Sequence, residues 1–277
     1  MPSSVVTIAV ERWVYTLFSI ACVFLIIHEV NYFSGYFVGL VPSDTLIELF
    51  DITLEANLPT WFSSALFLLC GVAAWWVALG LVSPPHPPTP SPTGGEGEYK
   101  VVSLPRMRGV QIGCWRIIAV FFLYDWVDDM AQIHERLGSF IGDAVRDHQI
   151  VNGMLVSVVR EFLSYYWHIL FFPLLVTMGL ILLILWFNLP NHTLRMHLFV
   201  GLSCLVMAVA LDYVEGLDWF VDDMRQQYAS YGLSTPVVHH LLRSGEEWLE
   251  MVGAIFILAA FLGTARELST TLLLRLK

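Results

Sequence analysis

Six apolar runs constrain this chain more than any other feature. Each is long enough to cross the ~30 Å hydrocarbon core of a bilayer, which takes about 20 helical residues. They fall at roughly 13–33, 61–83, 113–133, 165–187, 196–215 and 243–264. In lipid, backbone polar groups must be satisfied within the segment itself, so runs of this kind fold as helices. The expected fold class is all-α: a polytopic membrane protein, a six-transmembrane-helix bundle forming a single domain over 1–277. Composition agrees, since 57% of residues are apolar and 14% charged, against about 25% charged in a soluble domain. Arg12 leads directly into the first run with no small-residue cleavage site before it, so no cleavable signal is expected.

Lysine and arginine placement sets orientation. With the N-terminus inside, nine basic residues (Arg12, Lys100, Arg106, Arg108, Arg116, Arg195, Arg266, Arg275 and Lys277) lie on inner segments. Five (Arg136, Arg146, Arg160, Arg225 and Arg243) lie outside. Both termini are therefore expected in the cytoplasm, in a bacterial-type inner membrane. On that topology only Glu11, Glu96, Glu98 and Glu267 of the 24 acids lie inside, an asymmetry that needs a cause of its own. A net charge of −10 gives no reason to expect a nucleic-acid partner. The segment SPPHPPTPSPTGGEGE at 83–98 has linker composition, and a disordered cytoplasmic linker is expected over 84–112. Cys22, Cys70, Cys114 and Cys204 fall in or beside spans with no CxxC pair, so free buried thiols are expected.

Two similar acidic strings, DWVDDMAQ at 125–132 and DWFVDDMRQ at 218–226, sit differently. Asp125 lies about 14 Å up the third span from Arg116, at 1.5 Å per residue, whereas Asp218, Asp222 and Asp223 follow the fifth span in a loop. Placing every polar residue against its span shows a convergence. His28, Glu29 and Asn31 end span one; Glu55 and Asn57 precede span two; Asp125, Asp128 and Asp129 occupy the outer half of span three. His168 begins span four, Asp212 and Glu215 end span five, and His239, His240, Glu246, Glu247 and Glu250 begin span six. Asp125, Asp128 and Asp129 share one helix face, as do Glu247 and Glu250. His134 points away from Asp125 unless the third helix has already ended.

An ionised side chain costs about 2.5–3.5 kcal/mol at a helix centre on insertion scales. Such groups therefore face the bundle interior or water, and pair. Like charges around one cavity repel, and shared protons, a water-filled vestibule or a cation relieve the repulsion. Carboxylates mixed with imidazoles are a ligand set for Zn, Fe, Mn or Cu. The expected metal ligands are Asp128, Asp129, His168, Asp212, Glu247 and Glu250, with Glu135 or Glu215 as proton acceptor. Ordinary roles compete with this reading. Asp44, Glu48, Asp51, Asp218, Asp222 and Asp223 suit a solvated loop face. His28, His134 and His168 suit interfacial imidazoles bonded to carbonyls, and Glu246 suits a helix-start acid after Ser244. Trp61, Trp126, Trp167, Trp219 and Trp248 suit an aromatic belt.

The six spans and the outer acid–histidine cluster are superficially similar to the copper-site subunit of particulate methane and ammonia monooxygenases. The Asp-x3-His-x12-His run of that family is missing, because Asp129 and His134 are five apart. HExxH is absent too, the two His-Glu pairs continuing as HEVNY and HERLG. The residues point to a divalent-metal-dependent membrane enzyme acting on a lipid or small periplasmic substrate. The alternatives are a cation or proton-coupled transporter using the same acids, or a non-catalytic subunit binding a partner through acidic outer loops.

Overall fold

The computed structural model describes residues 10–35, 48–54, 57–82, 105–146, 166–215 and 235–275. Among the described residues the fold has seven helices: α1 (Val10–Phe33), α2 (Leu58–Val82), α3 (Pro105–Ala131), α4 (Ile133–Arg146), α5 (Tyr166–Asn188), α6 (His192–Glu215) and α7 (Thr235–Arg275). Among the described residues there is no strand. All except α4 are long and apolar enough to cross a membrane, so the chain is an all-α multi-pass bundle in contact with lipid.

Local chemistry marks the helix ends. Asn57 caps α2, its Oδ1 accepting the Thr60 amide at 3.1 Å, and Asn191 caps α6 by accepting the Leu194 amide at 2.9 Å. Pro105 opens α3 in a helix's first turn, where a missing N–H is harmless. That start makes residues 105–112 of the stretch expected as linker helical, and its residues 84–104 lie outside the described residues. The four cysteines are free thiols, and the Cys70 thiol donates to the Ala254 carbonyl, 3.4 Å away across α2 and α7.

α7 is the axis of the bundle, packing against α6, α2 and α1. Its middle, Val252 through Phe261, is buried almost all round. Without a hydrophobic drive between helices in lipid, close packing has to come from small residues, and α6 and α7 meet through a reciprocal glycine contact. A Cβ on Gly201 would lie 2.8 Å from the Gly253 carbonyl oxygen, and one on Gly253 would lie 3.0 Å from that of Gly201. α2 and α3 meet similarly, a Cβ on Gly71 falling 3.1 Å from the Ala119 carbonyl oxygen. Phe122 and Phe261, with ring centroids 5.9 Å apart, join Ile118, Leu198 and Ile257 in a fully buried apolar plug across the middle.

The two ends of the bundle are each tied together. At one, Gln111 on α3 donates to Asn188 on α5 at 3.0 Å, and Asn191 before α6 reaches Glu267 on α7 at 3.4 Å. At the other, where α1, α3 and α6 finish and α2 and α7 begin, the acidic groups gather.

Candidate functional site

A cavity of about 230 Å³ opens at that second end, bounded by α2, α3, α5, α6 and α7. Seven carboxyl groups line it: Asp125, Asp128 and Asp129 from α3, Asp212 from α6, and Glu246, Glu247 and Glu250 from α7. Among the described residues Arg243 is the guanidinium in the lining, and Phe67, Phe121, Phe171, Leu174, Leu175, Leu205 and Val209 supply its apolar wall. Helical spacing explains the supply. Positions 125, 128 and 129 fall on one face of α3, and 243, 246, 247 and 250 on one face of α7.

The acids of α3 are held by neighbours. Ser64 on α2 donates a short hydrogen bond to Asp129 Oδ2. Asp128 accepts from the Tyr124 hydroxyl at 3.2 Å and from the His134 amide at 2.9 Å, while its Oδ2 lies 2.7 Å from His134 Nδ1. His134 reaches that position because α3 ends at Ala131 and Gln132 takes φ 52°, the left-handed region that ends a helix. The turn brings the imidazole back over the helix end, and His134 also lines the cavity. Its ring is therefore paired with the Asp128 carboxylate.

Of the expected ligands, the fold brings Asp128, Asp129, Asp212, Glu247 and Glu250 to this one cavity, and adds Asp125 and Glu246. The side chains of His168, Glu135 and Glu215 lie outside the described residues. Glu246 is no helix-start acid, because α7 begins at Thr235 and carries Glu246 three turns in. Ser244, taken above as its cap, is buried within the helix at 1% exposure.

A second polar group lies where α7 meets α1. Ser244 donates to Glu29 Oε1 on α1 at 2.8 Å, and His240, one turn earlier, sets Nε2 3.1 Å from Glu29 Oε2. The His28 ring stacks on that of His240 with centroids 4.6 Å apart, and its Nδ1 lies 3.2 Å from Asp51 Oδ1. Asp51 is thus not a solvated loop acid: it also accepts from the Thr53 amide at 2.9 Å, and its carbonyl accepts from Asn57. Among the described residues, His28, Glu29 and His240 form the group whose ligand atoms all lie within 4.8 Å of one another. The sequence places all three at the outer level, but pairing them requires knowing that α1 packs on α7. Trp248 belongs to the packing here and not to an exposed belt, since its ring meets Phe18 of α1 at 6.2 Å.

Residues 16–264, most of the chain, match the family described as Domain of unknown function (DUF8692). No curated protein and no solved structure matches. The chain belongs to that family.

Proposed function

We propose that this member of the family is a divalent-metal-dependent membrane enzyme whose site is the carboxyl-lined cavity. On this reading the cavity faces the periplasm, both termini are cytoplasmic, and the substrate is a lipid or a small periplasmic molecule. The observation that carries it is that, among the described residues, seven carboxyl groups from three helices line about 230 Å³. A dication held among them would offset the mutual repulsion of such a set.

Asp129, Asp212, Glu247 and Glu250 are the ligands in this reading, with Asp128 oriented by Tyr124 and His134, and with His168 the one imidazole contribution. Glu135 or Glu215 takes the proton. Zn, Fe, Mn or Cu suits such a donor set. Bound there, the metal would activate water near neutral pH or carry redox chemistry.

Size and polarity narrow the substrate. Drug-sized ligands occupy about 300–1,000 Å³, so this cavity takes the polar end of a lipid, or a molecule of similar size, and not a whole lipid. Arg243 is placed to meet an anionic group, while Phe171, Leu174 and Leu175 of α5 offer an apolar side for an acyl chain. The plug of Phe122, Ile257 and Phe261 beneath favours chemistry from one side over passage across the membrane.

The test is metal-dependent melting of the detergent-purified protein. A ligand at 100 times its Kd stabilises the folded state by about 2.7 kcal/mol, so Mn2+ or Zn2+ should raise the melting temperature. Glu250→Gln should reduce that response. A Glu250→Gln protein with the full wild-type response would sink the assignment of the metal to this cavity.

A further inference from the structure

We infer that His28, Glu29 and His240 form a second, separate site for a borderline first-row transition dication, Zn2+ being the best fit, which clamps α1 to α7. Two observations carry this beyond mere proximity of the three residues.

The first is an unpartnered nitrogen. His28 is buried at 4% exposure, its Nδ1 is engaged by Asp51 at 3.2 Å, and its Nε2 is buried with no hydrogen-bond partner. Donating Nδ1–H to a carboxylate fixes the tautomer with the lone pair on Nε2, the arrangement in which histidine ligates metals. Asp51, outside the ligand set, is thereby a positioning residue.

The second is spacing. Ligand atoms around a tetrahedral zinc with bonds of about 2.0–2.1 Å stand roughly 3.3 Å apart. His240 Nε2 and Glu29 Oε2 are already 3.1 Å apart, each of the three residues offers a ligand atom within 4.8 Å of the others', and side-chain rotation of the two stacked imidazoles turns their lone pairs toward one point. Ser244 holds the other Glu29 oxygen at 2.8 Å, aiming Oε2 at the site. His240 would ligate through Nε2 as the neutral tautomer with its proton on Nδ1, so its contact with Glu29 Oε2 gives way to two metal bonds. Two imidazoles and one carboxylate favour zinc or iron over Mg2+ or Ca2+, which prefer all-oxygen shells. This donor set differs in kind from that of the carboxyl-lined cavity.

The purified wild-type protein, loaded with one equivalent of Zn2+ and examined by zinc-edge X-ray absorption, should show two imidazoles in the first shell. A shell of oxygen alone would overturn the inference. In equilibrium dialysis, His28→Ala and Glu29→Gln should lose one bound zinc per chain. Asp51→Asn, which leaves all three ligands in place, should weaken zinc binding 10–100-fold. Retention of wild-type zinc by His28→Ala would contradict the site, and if that variant does not fold, the wild-type absorption spectrum still decides. Glu250→Gln should keep this zinc, so failure of the cavity reading leaves the result here untouched.

Discussion

Replacing Gly201 by alanine adds one methyl group at the closest approach of α6 and α7. That methyl would lie 2.7 Å from Ile257 Cγ1, 2.8 Å from the Gly253 carbonyl oxygen and 2.9 Å from the Ile257 amide nitrogen. Two of these three neighbours are backbone, so a change of rotamer does not relieve them. Ordinary contact begins near 3.4 Å, so α6 has to withdraw by about 0.6 Å, the difference from 2.8 Å. A gap of 0.5–1 Å forfeits a quarter to a half of each pairwise attraction across the interface. Overpacking of this kind costs about 1–3 kcal/mol, and the account expects a loss in that range. Unfolding in mixed detergent–SDS micelles measures it, with Gly179→Ala as control. Gly179 on α5 has nothing within 4 Å of a built Cβ, so alanine there should be neutral or up to about 1 kcal/mol stabilising. Asp212 lies on α6 and Glu250 on α7, so the same withdrawal should widen the cavity and weaken metal binding. Equal stability of the two variants would refute the close glycine crossing of α6 and α7.

Ser64→Ala removes the donor to Asp129 from a site 1% exposed, and hydrogen bonds to charged partners are worth about 1.5–3 kcal/mol. A loss below about 0.5 kcal/mol in the same assay would count against that bond. His134→Ala should release α4 from Asp128, seen as faster amide exchange over 133–146 with α3 unchanged. For topology, a reporter after Lys277 should be active only in its cytoplasmic form and one at Thr45 only in its periplasmic form; reversal at either would turn the cavity to the cytosol.

The spans were legible because hydropathy over about 20 residues is a property of the chain alone. The helix ends were less so. α7 begins at Thr235, ahead of the apolar run, because His240 and Ser244 are helical residues that meet Glu29 of α1 inside the bundle and Glu246 lines the cavity. Reading Ser244 as a cap followed from placing that start too late. Five of the expected ligands could be brought to one level by counting along their helices, and their shared cavity follows from the faces they occupy. His134 could not be placed the same way, since its position depends on the left-handed turn at Gln132, a residue type that does not announce one. The His28, Glu29 and His240 group depends on which helices are neighbours, and no periodicity within α1 or α7 encodes that.

Elemental analysis of the protein after gentle purification, on wild type and on the double variant Asp212→Asn/Glu250→Gln, tests the central claim most directly. The variant removes one carboxylate from α6 and one from α7 while leaving His28, Glu29 and His240 in place. The account predicts that wild type carries one more divalent metal per chain than the folded variant. Equal metal content in the two proteins, or none in either, would contradict a metal centre in the carboxyl-lined cavity.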